Sequence, residues 1–183
     1  MRSGYTLAPA LLLVLSLLTG CLGESDSGPL SSQWEKDNCE RCNMALSDRY
    51  HAAQVRYFPP QTKQSAVAWF DDIGCAVLWL ADKPWAKDPQ TRIWVTDRDN
   101  GVWIDATKAI YVKGDHTPMG YGLGAQEESH PDGLDFAQAK RYIQAAELRY
   151  RRHAAHLLQR LEEQQALREA KKERASGHNL RHR

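Results

Sequence analysis

The middle of this 183-residue chain, roughly residues 50 to 125, is where a packed core must lie, and its apolar segments come there in short pieces. Most of the tryptophans (Trp69, Trp79, Trp85, Trp94 and Trp103) fall in that stretch. HAAQVRYF (51–58) reads as a first strand, stopped by Pro59 and Pro60. SAVAWF (65–70) alternates and reads as a second. Asp71 or Asp72 can cap a helix over IGCAVLWLAD (73–82), with Ile73, Val77 and Leu80 on one face. RIWVTD (92–97) is a third strand, Asp99-Asn100-Gly101 a strong turn signal, and VWID (102–105) the returning strand. KAIYV (108–112) can pair next. HTPMGYGLGA (116–125) then reads as a loop of unusual backbone, punctuated with Gly114 by Gly120, Gly122 and Gly124.

From Leu134 the character changes. Phe136, Ile143, Ala146, Tyr150, Ala154, Leu157 and Leu161 recur at helical steps and make one apolar stripe. The stripe fades into a charged end, so a helix is expected over 134–175 and a disordered tail over 176–183. The formal net charge is +1, too small for a general field toward nucleic acid, and no nucleic-acid partner is expected.

The N-terminus addresses the compartment. Arg2 precedes an apolar run, LLLVLSLL, that ends in Leu18-Thr-Gly-Cys21. It is too short to span a bilayer and has the form of an export signal over 1–20. LTGC resembles the bacterial lipobox, which implies lipidation of Cys21 and a membrane anchor made of acyl chains. Leu22 is not aspartate, which under the sorting habit of Gram-negative lipoproteins favours the outer membrane. Residues 21–35, rich in Ser and Gly, read as a flexible tether.

Setting Cys21 aside leaves Cys39, Cys42 and Cys75, an odd number for an oxidising compartment, so disulfides cannot account for all of them. Cys39 and Cys42 open the run CERCNM, which Asp37, Asn38 and Asn43 mark as a turn. A zinc ribbon needs a second CxxC or a histidine pair, and the core offers neither. A thiol–disulfide couple is open, although thioredoxin-like motifs follow a strand and this one follows a tether. A plain disulfide turn is also open. So is a soft-metal site, since Cys42 and Met44 in C-x-M can direct two sulfurs to one side, and thiolate with thioether selects Cu(I). Cys75 sits on an apolar helix and reads as a small buried hydrophobe. Asp71 and Asp72 read as caps rather than as acid–base groups, and His51 and His116 as surface residues that could also ligate copper. GxSxG, P-loop, HExxH and dinucleotide fingerprints are absent.

Several stretches together resemble the NosL family of copper-binding lipoproteins in nitrous oxide reductase maturation. They are LTGC (18–21), CERCNMALSDRYHAAQ (39–54), FDDIGCAVLWL (70–80), VWIDATKAIYV (102–112) and TPMGYGLGA (117–125), in the family's order. The resemblance implies an α+β domain over 36–126, of two ββαβ-like halves. It implies one Cu(I), held by Cys42 and Met44 of the family's CxM motif. Cys39, Met119 and His116 are the further candidate ligands. It also implies a non-enzymatic, periplasmic role: passing copper to apo nitrous oxide reductase together with an ABC-type maturation transporter. The helix from 134 onward lies outside the resemblance.

Overall fold

Strand β1 (Ala53–Tyr57) is buried along nearly its whole length, including two polar side chains, and that pattern organises the fold. The computed structural model describes residues 28–62 and 64–180. The expected signal segment, Cys21 and the first residues of the tether lie outside the described residues. β1 lies between β2 (Ala66–Phe70) and β3 (Arg92–Thr96), both antiparallel to it, and β4 (Trp103–Asp105) extends the sheet beyond β3. Val55 stands opposite Ala68 on one side and Ile93 on the other.

Side chains alternate across this sheet. Ala53, Val55 and Tyr57 share a face, and Tyr57 meets Trp79 edge-on at 5.7 Å and stacks on Trp85 at 4.7 Å. Gln54 and Arg56 point the other way and need partners, because a buried amide or guanidinium without them is costly. Residues 28–35, the end of the stretch read as a tether, supply these. Leu30 N–H donates to Gln54 Oε1 at 2.9 Å, Gln54 Nε2 donates back to the Leu30 carbonyl, and Arg56 donates to the Gly28 carbonyl at 2.7 Å.

Helix α1 (Ile73–Ala81) follows β2 directly. Of the two candidate caps it is Asp72 that acts: its backbone is extended and its Oδ1 accepts from Gly74 N–H at 2.8 Å. Ile73, Val77 and Leu80 are buried, as their spacing predicts. β1, β2, α1 and β3 thus form one complete ββαβ unit.

β5 (Ile110–Lys113) pairs with β6 (Leu123–Gln126) in a separate antiparallel ladder. Arg98 N–H donates to the Ala125 carbonyl at 2.7 Å, which fastens this hairpin to the end of β3. β6 corrects the loop reading of 116–125: the loop ends at Gly122, and Leu123 and Ala125 carry a buried alternation that Gly124 hides. Gly124 is glycine for space, since an added Cβ would lie 2.0 Å from the Asp115 carboxylate. Gly120 and Gly122 do adopt the positive φ expected of a special loop, both at 70°.

Helix α2 (Phe136–Leu180) starts at a reciprocal cap: Gln138 N–H donates to Asp135 Oδ1 at 2.7 Å, and Asp135 N–H to Gln138 Oε1 at 2.9 Å. Ala139, Ile143 and Ala146 are buried against the domain. Of the later stripe residues Leu157 and Leu161 are exposed, whereas Tyr150, though half exposed, meets Tyr121 edge-on and donates its hydroxyl to the Gly120 carbonyl at 2.6 Å, so the predicted stripe is used only as far as Tyr150. The helix continues through Leu180, past residue 175 where the sequence placed its end, and 181–183 lie outside the described residues. The result is an α+β fold with a long C-terminal helix. Among the described residues no helix is long and apolar enough to cross a membrane.

Candidate metal centre

The CERCNM run is a single helical turn closed by a left-handed residue. Asn43 has φ 61°, a conformation asparagine tolerates, and its N–H donates to the Cys39 carbonyl at 2.8 Å. Cys39 N–H donates to the Met44 carbonyl at 2.7 Å, and an Asn38–Ala45 bridge closes the base. Cysteines three apart on one helical turn face the same way. Glu40 N–H donates to the Trp69 carbonyl at 2.8 Å, which pins the turn to the end of β2. Two residues further on, Asp71 enters the site, and Cys75 follows from the first turn of α1.

Ligating atoms of Cys39, Cys42, Asp71 and Cys75 all lie within 4.8 Å of one another. The three thiols are free. Cys39 and Cys75 are buried, whereas Cys42 is half-buried and forms the accessible side. Cys42 Sγ donates to Asp71 Oδ2 at 3.2 Å. Asp71 Oδ1 is buried and has no hydrogen-bond partner.

Charge in the cluster settles on one sulfur. A hydrogen bond from the Cys75 thiol, more than any other cause, pulls Cys39 down to about 6. That same bond, with burial, pushes Cys75 strongly up. Burial pushes Cys42 up to about 12, and its bonds to Asp71 and Cys39 add to this. The direction is toward a thiolate on Cys39, with Cys42 and Cys75 held as thiols. The three sulfurs suit a soft cation, whose entry would displace the remaining thiol protons, and the Asp71 carboxylate beside them adds negative charge.

The expected ligands divide. Cys39 and Cys42 are in the cluster. Met44 borders it: its N–H faces the Cys42 sulfur, and its side chain is 49% exposed. Met119 is half-buried and its N–H bonds the Asp72 carboxylate, one residue from the cluster. His116 is exposed and outside the cluster. His51 is instead held between Asp48 at 2.7 Å and Asp115 at 3.1 Å. Asp71 and Cys75 are the members that sequence reading passed over. The signal for Cys75 was the odd thiol left over.

The NosL family model matches residues 31–144, which takes in the whole cluster and the first turns of α2. This chain belongs to the NosL family. The match runs beyond both ends of the 36–126 read from the motifs. Among solved structures the chain is similar to the crystal structure of the copper chaperone NosL from Shewanella denitrificans, at 16% identity and a TM-score of 0.37. The likeness covers 64% of this chain and 87% of that one. No curated protein matches the chain. Within this NosL-family chain, Glu147 and the rest of α2 lie beyond the family match.

Proposed function

We propose that this chain is a non-enzymatic Cu(I) metallochaperone, lipid-anchored through Cys21 on the periplasmic side of the outer membrane. It delivers copper for assembly of the copper–sulfide site of nitrous oxide reductase, together with that enzyme's ABC-type maturation transporter. The observation that carries the reading is the convergence of three free thiols and one carboxylate within 4.8 Å, open on the Cys42 side. The Shewanella denitrificans NosL is a copper chaperone, and membership of the same family supports copper as the cargo.

Thiolates hold Cu(I) at low coordination number, which suits a carrier that must also release it. Met44 is exposed two residues after Cys42, which supports a role in which its thioether meets the ion first and leaves it last. The Cys42 thiol donates to Asp71 in the metal-free protein, and its proton is released as that sulfur becomes a ligand. Exchange then proceeds one ligand at a time, so the ion is never bare.

The lowered Cys39 thiol favours a second reading, a thiol–disulfide oxidoreductase using Cys39 and Cys42. Against it, Cys39 is 1% exposed, whereas the attacking thiol of such an enzyme must reach a substrate disulfide. Anaerobic incubation of Cu(I)-loaded protein with copper-free nitrous oxide reductase, followed by separation and metal analysis, tests delivery. Copper moving to the enzyme supports it. Copper staying on the carrier, with disulfide reduction activity that Cys39→Ser abolishes, supports the second reading.

A further inference from the structure

Arg41 lies between the two cysteines of the turn, and its guanidinium joins three elements. Nη1 is 3.9 Å from Cys75 Sγ on α1 and 3.3 Å from the Tyr121 hydroxyl in the glycine loop. Nη2 is 2.9 Å from Glu147 Oε1 on α2. The second oxygen of Glu147 accepts from the Tyr121 hydroxyl at 2.8 Å, and Arg151 Nε meets Oε1 at 3.0 Å. The Arg41 and Glu147 side chains are 25% and 14% exposed, so the pair is largely screened from water and stronger than a surface ion pair. Ala146 is buried and the side chains of residues 148–172 are all exposed, so Glu147 belongs to the last turn of α2 that touches the domain.

We propose that Glu147 is a positioning residue that, through Arg41, latches the 39–44 turn over Cys75 and so sets how fast the bound ion leaves. This rests on the copper-carrier reading above. The turn's other ties are backbone bonds at its base and to β2, together with the Cys42–Asp71 and Cys39–Cys75 thiol bonds, whose protons leave when metal enters, so that in the loaded protein Arg41 is the side chain that carries the turn to α2. Arg41 is the side chain that spans from the turn to α1 and α2. Release requires Cys42 to part from Cys75, and that movement breaks the Arg41 contacts. Because Glu147 rides on α2, any displacement of that helix reaches the turn directly.

The test uses the full chain, loaded anaerobically with Cu(I) and mixed with an excess of a chromophoric Cu(I) chelator. Release rates are compared for the parent, Glu147→Ala, Arg41→Ala, the double variant, and Arg152→Ala as a control, since the Arg152 side chain bonds the Leu148 carbonyl of its own helix. Stoichiometry is measured separately at equilibrium. Each single latch variant should release about tenfold faster, the scale of one charge-assisted hydrogen bond. The double variant should be no faster than Arg41→Ala alone, and Arg152→Ala should match the parent. All should bind one equivalent. Should Glu147→Ala fold poorly, Glu147→Gln keeps the volume and an acceptor for Tyr121 while losing the ion pair, and carries the same expectation. A parent that binds one equivalent but releases it at a rate indifferent to Glu147, or additive effects of the two single changes, overturns the latch alone. A parent that takes up no Cu(I) overturns the carrier reading and the latch with it.

Discussion

One oxygen of Asp71 accepts the Cys42 thiol at 3.2 Å, and the other, equally buried, accepts nothing. An unsatisfied buried acceptor costs about 1–3 kcal/mol, so the domain is less stable empty than it could be. A cation entering between the sulfurs removes that cost. Asp71→Asn should therefore leave the melting temperature of the metal-free protein unchanged or raised. The added stability that saturating Cu(I) gives should shrink, because that stabilisation follows the affinity. Thermal melts with and without Cu(I) check both halves.

The metal-free protein should carry one thiolate well below the ordinary range. Cys39 is lowered from 9.0 to about 6, so between those values the folded state binds fewer protons than the unfolded one. Its contribution is fully present above pH 9.0 and is lost as pH falls through about 6. Cys42 has the opposite sign: raised from 9.0 to about 12, its contribution is present below 9.0 and is lost as pH rises toward 12. Stability should thus rise from pH 6 to 9, a slope that Cys39→Ser abolishes. Denaturant titrations across that window, with thiolate absorbance followed in parallel, measure it.

Gly74→Ala should destabilise the fold although alanine is the better helix former by about 1 kcal/mol. The new Cβ would lie 2.1 Å from the Tyr121 ring, so α1 or the glycine loop must shift. Overpacking of this kind costs about 1–3 kcal/mol, or more where the neighbour is itself fixed. Tyr121 is fixed, since its hydroxyl bonds Glu147 and Arg41. A lowered denaturant midpoint, with faster Cu(I) release from the disturbed Arg41 contacts, is the expected outcome.

β1 through β5 and α1 were legible because short alternating runs between strong turn residues leave few alternatives, as at Pro59-Pro60 and Asp99-Asn100-Gly101. β6 was not, because Gly124 interrupts the alternation of Leu123 and Ala125. Half of the thiol–carboxylate cluster was legible in Cys39 and Cys42. Cys75 was hidden by its own burial: it belongs to the apolar core and to the cluster at once, and helical periodicity reports only the first. Asp71 was hidden by Asp72, since adjacent carboxylates at a helix start look interchangeable until the backbone shows which one caps.

The central claim is that the sulfurs around Asp71 hold one Cu(I) and that Met44 assists from the surface. It is tested most directly by anaerobic Cu(I) titration against a competing chelator, with Cys42→Ser, Cys75→Ala and Met44→Leu beside the parent and Zn(II) as a second metal. The account predicts one tight equivalent in the parent, a large loss of affinity in both cysteine variants, and a smaller loss in Met44→Leu without loss of stability. Failure to compete for Cu(I), Cu(I) binding indifferent to Cys42 and Cys75, or tight binding of Zn(II) alone would contradict it.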